Sequence, residues 1–227
     1  MSNDYWPVFD LRLAAGDLTL RPMTEADLGP LADQLPADVE QDPQFPLIPG
    51  GDARQRRGTL LHQFYWNAQG SWRPQEWRLS FVVRAGGGII GVQELEGRDF
   101  VRLRTVDTSS YLIESARGRG LGKLMRRAVL ALGFGPLEAQ AAVTSAWHDN
   151  AASLGVSRAL GYQPNGEHLH PRGGRADVMV HMRLRRADWL AGPGAAGITI
   201  TGFGPCRPFF GLSETQESAQ SGGPASA

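Results

Sequence analysis

Glycine and basic residues alternate at one point of the sequence, where a strand-like run gives way to a helix-like run. Residues 111–124 read Tyr-Leu-Ile-Glu-Ser-Ala-Arg-Gly-Arg-Gly-Leu-Gly-Lys-Leu. Glycines let the backbone approach a ligand without a Cβ atom in the way. Free N–H groups at a helix start, together with the helix dipole, attract phosphate oxygens. The segment therefore predicts a phosphate-binding turn, with Lys123, Arg126 and Arg127 as cations on the first turns of the helix.

This turn does not match the two most common phosphate-binding motifs. A Walker A loop needs glycine and Ser/Thr where this chain has Arg117 and Leu124. A G-x-G-x-x-G dinucleotide loop would end at Lys123 or at Met125, and neither is glycine. What remains is the pattern Arg-x-x-Gly-x-Gly, which starts at Arg117. The competing interpretation is a Gly-rich helix start that carries surface arginines.

A second segment has the same strand-to-helix character. Asn150 follows a strand-like run, and Leu-Gly-Tyr at residues 160–162 ends the helix-like run after it. In their order and spacing, the two segments resemble the signature motifs of the GCN5-related N-acetyltransferase (GNAT) family. The resemblance covers residues 18–184. It implies transfer of an acyl group from acyl-CoA to a primary amine by direct attack in a ternary complex.

Within that family the chain is similar to the ribosomal-protein alanine N-acetyltransferases. Its flanking stretches are similar to an actinobacterial subgroup, of which at least one member is regarded as a succinyltransferase. These stretches are residues 5–11, 106–110, 137–140 and 202–208. The resemblance therefore implies acetyl-CoA or succinyl-CoA as donor, with succinyl-CoA preferred, and no metal.

The resemblance also implies which residues hold the cosubstrate. The backbone of Leu112 and Ile113 is expected to bind the pantetheine amides. Asn150 is expected to bind the pantetheine arm, with Ser153 beside it. The pyrophosphate is expected on the backbone N–H groups of Arg117, Gly118, Arg119, Gly120, Leu121, Gly122 and Lys123.

Acid and base candidates for the transfer can be named from the same comparison. In the family a hydroxyl seven residues after the Asn, often that of tyrosine, protonates the leaving thiolate, and here this position is Ser157. The alternative for Ser157 is a solvent-facing serine or one bonded back to its own helix. The attacking amine must lose a proton, for which Glu94, Asp107 and His148 are candidates. Each could instead be a surface charge or a loop hydrogen-bonder, and ordered water could accept the proton.

Two pairs of side chains are candidates for substrate contacts. Trp72 and Trp77 could wall an acceptor pocket, although such aromatics more often belong to the core. Arg102 and Arg104 share one face of a predicted strand by its period of two, so they are the expected cations near the acyl end. An arginine fork suits the carboxylate of a succinyl group.

The elements that must position these residues follow from periodicity. Strand-like runs at residues 18–22, 79–83, 89–95 and 101–113 come first, with a hairpin turn at 86–88 and helices before it. An amphipathic helix at 120–134, a strand at 141–147, a helix at 151–160 and a strand at 178–184 follow. This order predicts a mixed α/β domain. The resemblance adds a central, mostly antiparallel and splayed sheet flanked by helices.

Composition bounds the organisation and the partners. The 227 residues carry 23 basic and 23 acidic side chains, which argues against nucleic acid as a partner. One cysteine, Cys206, excludes an internal disulfide, and His168 and His170 lie in a Gly/Pro-rich stretch without a ligand cluster, so no metal site is expected. No apolar run is long enough for a membrane span, and the start of the chain lacks a signal-peptide pattern, so a cytoplasmic location is expected.

Three ranges describe the expected domain organisation. Residues 1–190 form the acyltransferase domain, 191–212 a C-terminal extension that packs on it, and 213–227 a disordered tail rich in small polar residues. The acceptor is a small-molecule amine or an amine of a protein or peptide, and a homodimer is compatible with these observations. The rival interpretation is a fold of the same family that binds CoA as a sensor or interaction module without turnover.

Overall fold

A single sheet organises the chain. The computed structural model describes residues 4–39, 48 and 50–213. Within them, ten strands lie in the order β10-β1-β2-β3-β4-β5-β7-β9-β8, and β6 pairs with β4. The strands are β1 (Arg12–Ala15), β2 (Leu18–Pro22), β3 (Trp77–Ala85), β4 (Gly88–Gly97), β5 (Thr105–Asp107), β6 (Ser110–Leu112), β7 (Ala141–Trp147), β8 (Gln163–Arg172), β9 (Arg175–Arg185) and β10 (Ile198–Thr201).

Helices cover both faces of this sheet. The α-helices are α1 (Leu28–Gln34), α2 (Ala53–Gly70), α3 (Phe100–Leu103), α4 (Leu121–Phe134), α5 (Ala151–Ala159) and α6 (Arg186–Ala191). Short 3-10 helices are Pro7–Asp10, Glu25–Asp27, Glu114–Ala116 and Gly204–Phe210. Neighbouring strands are antiparallel except for β5 and β7. The predicted mixed α/β fold with a mostly antiparallel sheet flanked by helices is confirmed.

Helix α4 is the main element on one face of the sheet, which we call the α4 face. Its buried positions form an apolar stripe, and Ala128 and Leu132 on it are fully buried. Val106 of β5 and Leu95 of β4 belong to the same hydrophobic cluster. The amphipathic helix predicted for residues 120–134 is therefore present as α4, and its apolar face packs on the sheet directly after the Gly-rich turn.

Helices α1 and α2 lie on the opposite face, which we call the α2 face. A smaller cluster joins Leu28 and Leu31 of α1 and Tyr65 of α2 to Val82 of β3 and Val92 of β4. Side chains alternate along a strand, so from Val92 onward the even-numbered residues of β4 point to this face and the odd-numbered ones to α4. A register shift before this point places Ile90 in the cluster on the α4 face. The two helices cover β3 and β4, whereas the α2 face of β7, β8 and β9 is not part of either apolar cluster.

The single long strand predicted at 101–113 is wrong. Residues 100–103 form α3, and Asp99 and Arg104, which flank it, have positive φ angles of 47° and 45°. Phe100 is fully buried against Trp77, so burial of an aromatic ring outweighs the strand pattern of the neighbouring valine and leucine. The remaining residues divide into β5 and β6, which share one pairing register along β4.

The Gly/Pro-rich stretch at 161–174 was expected to be a break, and it is largely a strand. Residues 163–172 pair with β9 as the edge strand of the sheet. Proline is tolerated on an edge strand, and the register shifts between Pro164 and Glu167. Local composition predicts a loop here because it carries no information on the backbone partner that β9 provides. His168 and His170 consequently lie on a strand, side by side on one face.

The C-terminal residues add a strand and a short helix to the fold. Strand β10 pairs antiparallel with β1, and Cys206 and Phe210 of the final 3-10 helix are fully buried. The limits of the predicted domain, 1–190, and extension, 191–212, stay predictions. The predicted tail at 213–227 lies outside the described residues, apart from Ser213.

Candidate active site

An opening in the sheet lies between β6 and β7. The parallel pairing of β5 with β7 covers three residue pairs and ends at Asp107 and Val143. Beyond it, Thr144 Oγ1 donates to Thr108 O at 2.8 Å and Thr108 N donates to Val143 O at 3.1 Å. From there β6 stays with β4 while β7 continues along β9. The sheet therefore splays into a wedge that joins its two faces.

The Gly-rich turn lies at the wide end of this wedge, on the α4 face. Gly120 is the N-cap of α4 with a φ of 76°, and Gly118 has a φ of 71°. A Cβ atom built on either glycine meets nothing within 4 Å, so both face open space. The first amides of α4 have no partner within the helix. Positive φ and open approach are what a backbone cradle for phosphate oxygens requires.

Arginine and lysine side chains surround this turn. Arg117 Nη1 and Nη2 donate to the Asp38 carboxylate at 2.7 and 2.8 Å, and its Nε donates to Leu112 O at 3.0 Å. Arg119 and Lys123 are exposed. The strong bonds of Arg117 hold the turn against β6, which leaves Arg119 and Lys123 as the side-chain cations open to a ligand. The side chain of Leu121 is half-buried against the core.

Ile113, which the sequence predicts as a contact of the pantetheine amides, already forms backbone hydrogen bonds within the protein. Ile113 N already donates to Ile90 O at 3.0 Å, and Ile113 O accepts from Ala116 N at 3.0 Å. Ile113 therefore has no free amide for a ligand, because β4 and the following 3-10 helix engage it.

Gly122 belongs to the predicted pyrophosphate turn and lies on the first turn of α4. A Cβ atom added to it would reach only ordinary contact distance from Val156 and Leu112.

Asn150 and Ser153 meet at the start of α5. Asn150 Oδ1 accepts from Ser153 N at 3.0 Å and caps the helix. The side-chain amide of Asn150 is exposed and keeps its two N–H donors, so capping and ligand binding use different atoms of one side chain. This places the second sequence segment across the opening from the Gly-rich turn.

A cluster of acidic side chains lies on the α2 face, opposite the Gly-rich turn. Glu94 accepts from Ser80 Oγ at 2.8 Å and from Ser109 Oγ at 2.7 Å. Burial raises the pKa of Glu94, and the neighbouring Glu96 adds to the rise. Asp107 pairs with Glu96 across β5 and β4, and burial followed by repulsion from Glu96 raises its pKa to about 6. Two of the three predicted base candidates, Glu94 and Asp107, thus lie together beside the opening.

Comparison with known proteins identifies the family of this arrangement. The family model described as "Acetyltransferase (GNAT) domain" matches residues 17–163. The chain belongs to the GNAT family. Mycobacterium smegmatis RimJ in complex with CoA-disulfide is 15% identical, with a TM-score of 0.62 over 85% of this chain and 97% of that chain. A spermidine N-acetyltransferase SpeG chimera from Vibrio cholerae and hSSAT is 16% identical, with a TM-score of 0.61 over 77% and 99%.

These identities are low, so the two structures establish likeness of fold. Membership of the GNAT family is confirmed, and with it acyl transfer from a CoA thioester to an amine as the family's general activity. The narrower branch and subgroup stay predictions. In the part of the chain that the structure describes, no helix has the length and apolarity needed to cross a membrane.

The predicted acid of this GNAT chain, Ser157, is buried and fully engaged. It is 1% exposed, donates from Oγ to Ser153 O at 3.0 Å and accepts from Arg126 Nη1 at 2.9 Å. Its proton is therefore held by its own helix, as in the competing interpretation of the sequence, while a cation faces its oxygen. A nearby positive charge lowers the pKa of a hydroxyl, which partly offsets the weak acidity of serine.

Arg126 is the functional candidate whose role the sequence did not reveal. It is 3% exposed, Nη2 donates to Ser110 Oγ at 3.3 Å, and Nε has no hydrogen-bond partner among the described residues. In the same residues no carboxylate forms an ion pair with it. Burial lowers its pKa. The sequence signal that could have indicated this burial is the position of Arg126 on the apolar stripe of α4, beside Met125 and Ala128.

Arg102 and Arg104 are not at the acyl end of the site, which corrects the sequence prediction. Arg102 belongs to α3, its side chain is 82% exposed, and Nε binds Asp99 at 2.9 Å. Arg104 follows α3, and its guanidinium lies 5.4 Å from the centre of the Phe100 ring. Both precede β5 at the end where β5 and β7 are paired, whereas the sheet opens beyond Thr108. The error comes from treating 101–104 as strand.

Trp72 and Trp77 are core residues, which also corrects the substrate prediction. Their rings stack on each other at 6.1 Å, and Trp77 contacts Phe210 edge-to-face at 4.8 Å. Trp72 Nε1 donates to Phe209 O at 2.9 Å. The C-terminal 3-10 helix therefore fills the space in which an acceptor was expected to bind.

His148, the third base candidate, lies just after β7. Its Nδ1 is 3.2 Å from the Asp177 carboxylate.

Proposed function

We propose that this GNAT protein transfers an acyl group from acyl-CoA to a primary amine that carries positive charge, by direct attack in a ternary complex. The observation that carries the proposal is the opening between β6 and β7. It has an open glycine turn on one face of the sheet and carboxylates on the other. A thioester within the opening would meet an amine from the α2 face.

The residues present fit a CoA thioester. Gly118 and Gly120 face open space at a helix start, which suits a pyrophosphate. On the acceptor side, the Tyr111 hydroxyl of β6 is buried on the α2 face and has no hydrogen-bond partner among the described residues, so a polar atom that reaches the opening from that face would satisfy it. The cosubstrate supplies the activated acyl group. The amides of residues 118–123 and the Asn150 side chain would hold it, whereas the predicted Arg117 amide already donates to Glu114 O at 3.1 Å.

Arg126 supports a donor that ends in a carboxylate. A buried guanidinium without a carboxylate partner is costly, and a bound anion would offset that cost. Succinyl-CoA carries such an anion beyond its thioester, and acetyl-CoA does not. We therefore propose succinyl-CoA as the preferred donor, with Arg126 in the role that the sequence prediction gave to Arg102 and Arg104.

The charges on the α2 face support a cationic acceptor. Glu94, Glu96 and Asp107 lie together there, and Arg78, which binds Glu96 at 3.0 Å, is the one basic residue that β3 adds to the group. Bringing an ammonium group near these carboxylates would lower the raised pKa values of Glu94 and Asp107 and favour binding. The spermidine N-acetyltransferases among the structural neighbours act on a polyamine, which is an acceptor of this chemical class.

Ser157 stays the proposed acid, and a CoA-binding module without turnover stays the rival. The observation that favours the rival is the engagement of the Ser157 proton by Ser153. Protonation of the thiolate requires this bond to be released. A cytoplasmic location and a homodimer stay predictions.

The test measures release of the CoA thiol from succinyl-CoA and acetyl-CoA with three amines. Spermidine and a peptide that begins with alanine are charged at pH 7, and aniline is neutral. We expect turnover with a charged amine, and a KM for it that rises at least fivefold in Glu96→Gln. Glu76→Gln, an exposed acid paired with Arg73, is the matched control and leaves KM unchanged. Equal reaction of aniline would refute the cationic acceptor, and CoA binding without any thiol release would favour the module.

A further inference from the structure

Two serines flank the opening on the α2 face, and each is bonded to a titratable side chain. On the β6 side, Ser109 donates to Glu94 at 2.7 Å. On the β7 side, Ser145 Oγ lies 2.9 Å from His181 Nδ1. Ser109 and Ser145 each lie two residues beyond the last paired residues of β5 and β7, Asp107 and Val143, so they are equivalent positions on the two diverging strands.

His181 continues into a chain of imidazoles. Its Nε2 lies 2.6 Å from His168 Nδ1, and His168 Nε2 lies 3.4 Å from His170 Nδ1. The rings of His168 and His181 are inclined by 14° with centres 4.8 Å apart. A short N···N distance with this centre separation means that the rings lie edge to edge, nearly coplanar, which is the geometry of a hydrogen bond between imidazoles.

One set of tautomers satisfies every bond in this chain. Ser145 donates to His181 Nδ1, His181 Nε2–H donates to His168 Nδ1, and His168 Nε2–H donates toward His170 Nδ1. All the bonds then point the same way, from the opening to His168, which is exposed. The chain is neutral when it is arranged so, and it can pass one proton outward.

The surroundings keep His181 in its neutral form at pH 7. Burial lowers its pKa, and repulsion from His168 lowers it further. Strand β7 contributes no titratable side chain. The other titratable or charged side chains on the same face are Arg175, Asp177, Arg183 and Arg185 of β9 and His168, His170 and Arg172 of β8. A neutral imidazole is able to accept a proton.

We propose that Ser145, His181, His168 and His170 form a proton relay for the acyl transfer. The relay rests on the proposed function. The ammonium of the acceptor gives one proton to Ser145 Oγ as the Ser145 proton moves to His181 Nδ1. The Nε2 proton of His181 moves to His168 Nδ1, and that of His168 passes through His170 to solvent. One proton leaves the ammonium and one reaches solvent, and the free amine then forms the new N–C bond while the C–S bond breaks.

The kinetic test compares wild-type protein with Ser145→Ala, Ser145→Thr and His181→Ala. Each is assayed with the fastest of spermidine and the alanine-initiated peptide. We expect kcat/KM at pH 7 to fall at least tenfold in Ser145→Ala and His181→Ala, and to stay within threefold in Ser145→Thr, which keeps the hydroxyl. The loss should shrink toward pH 9, where the acceptor deprotonates without help, and added imidazole should restore part of the His181→Ala rate.

Other results overturn the relay. Ser145→Ala and His181→Ala rates within threefold of wild type would do so. A loss of kcat/KM that neither higher pH nor added imidazole reduces would also overturn it. Such a loss would mean that these residues only hold β8 and β9 together. A Glu94→Gln loss alone, with the histidine variants active, would assign the proton to Glu94. If the wild-type protein transfers to neither amine, the proposed function itself fails.

An NMR titration of the imidazole nitrogens separates these failures and does not depend on turnover. We expect His181 to titrate below the ordinary histidine pKa and to return toward it in His168→Ala, because His168 lowers the pKa of His181. Ser145→Ala should leave this effect of His168 on His181 in place. If His181→Ala does not fold, the comparison of Ser145→Ala with the wild type still tests the relay. A His181 titration at the ordinary histidine pKa that His168→Ala leaves unchanged would refute the shared hydrogen bond.

Discussion

Arg126 of α4 donates to the Ser157 hydroxyl of α5 at 2.9 Å, on the α4 face of the sheet opening. This bond joins the helix of the Gly-rich turn to the helix that Asn150 caps. Both residues are almost completely buried, so the link lies where a thioester would pass between β6 and β7. Among the described residues no carboxylate forms an ion pair with Arg126, although Asp107 acts on it electrostatically, and this is the basis of the proposed succinyl donor.

Arg126→Met tests the donor preference. We expect the wild-type protein to use succinyl-CoA at least tenfold better than acetyl-CoA in kcat/KM. The variant should lose at least tenfold more activity with succinyl-CoA than with acetyl-CoA, because only succinyl has a carboxylate to pair. Arg102→Ala removes an exposed arginine of α3 and should change neither donor. Equal use of both donors by the wild type, or an equal loss in Arg126→Met, contradicts the succinyl assignment.

Ser157→Ala tests the acid. Without the hydroxyl the leaving thiolate has no positioned proton, so turnover should fall by about 10²-fold, within the range for general acid catalysis. CoA affinity measured by calorimetry should change less than twofold, because the proposed acid acts on the leaving thiolate and holds no part of the pyrophosphate. Full turnover in the variant would assign Ser157 to helix packing and to the bond with Arg126.

Gly120→Ala tests the glycine turn. The φ of 76° is strained for alanine, and the added methyl points into open space where a pyrophosphate would lie. CoA affinity should fall at least tenfold. Gly86→Ala is the control, since Gly86 also has a positive φ, 55°, and open space, but it lies in the β3–β4 hairpin. Both variants should lose about 1 kcal/mol of stability, and equal CoA affinity in the two would contradict the cradle.

Asp107→Asn tests the buried carboxyl through the pH dependence of stability. Burial and Glu96 raise the pKa of Asp107 from 3.8 to about 6, so the folded state binds its proton more tightly than the unfolded state does. The wild type therefore loses stability from this group as the pH rises from about 4 to 6. Relative to wild type, the variant should gain unfolding free energy over this interval and level off above it, by at most about 3 kcal/mol. Parallel stability curves across that interval would contradict the raised pKa.

Sequence reasoning succeeded where a local pattern determines the structure. The turn before α4 needs glycines with positive φ, the helix needs an apolar stripe, and the start of α5 needs the Asn150 cap, so each can be predicted from adjacent residues. Glu94 and Asp107 lie on one face beside the opening, and their role as bases stays a prediction.

The failures involve partners that are distant in sequence. Trp72 was expected to face a substrate, but its contact is Phe209, which lies 137 residues away. The strand character of 101–104 was overridden by burial of Phe100, which moved Arg102 and Arg104 away from the acyl end. His181 gained a role only because pairing of β7, β9 and β8 brings it against Ser145 and His168. None of these contacts leaves a periodic signal in the sequence.

The most direct test of acyl transfer across the sheet opening is a product assay. Wild-type protein is incubated with succinyl-CoA or acetyl-CoA and a charged primary amine, and mass spectrometry counts acylated amine while a thiol reagent counts free CoA. The account predicts equal amounts of the two products, no acylated protein, and rates that fall in Gly120→Ala. Tight CoA binding with no amine-dependent thiol release, for either donor and for both spermidine and the alanine-initiated peptide, would contradict it.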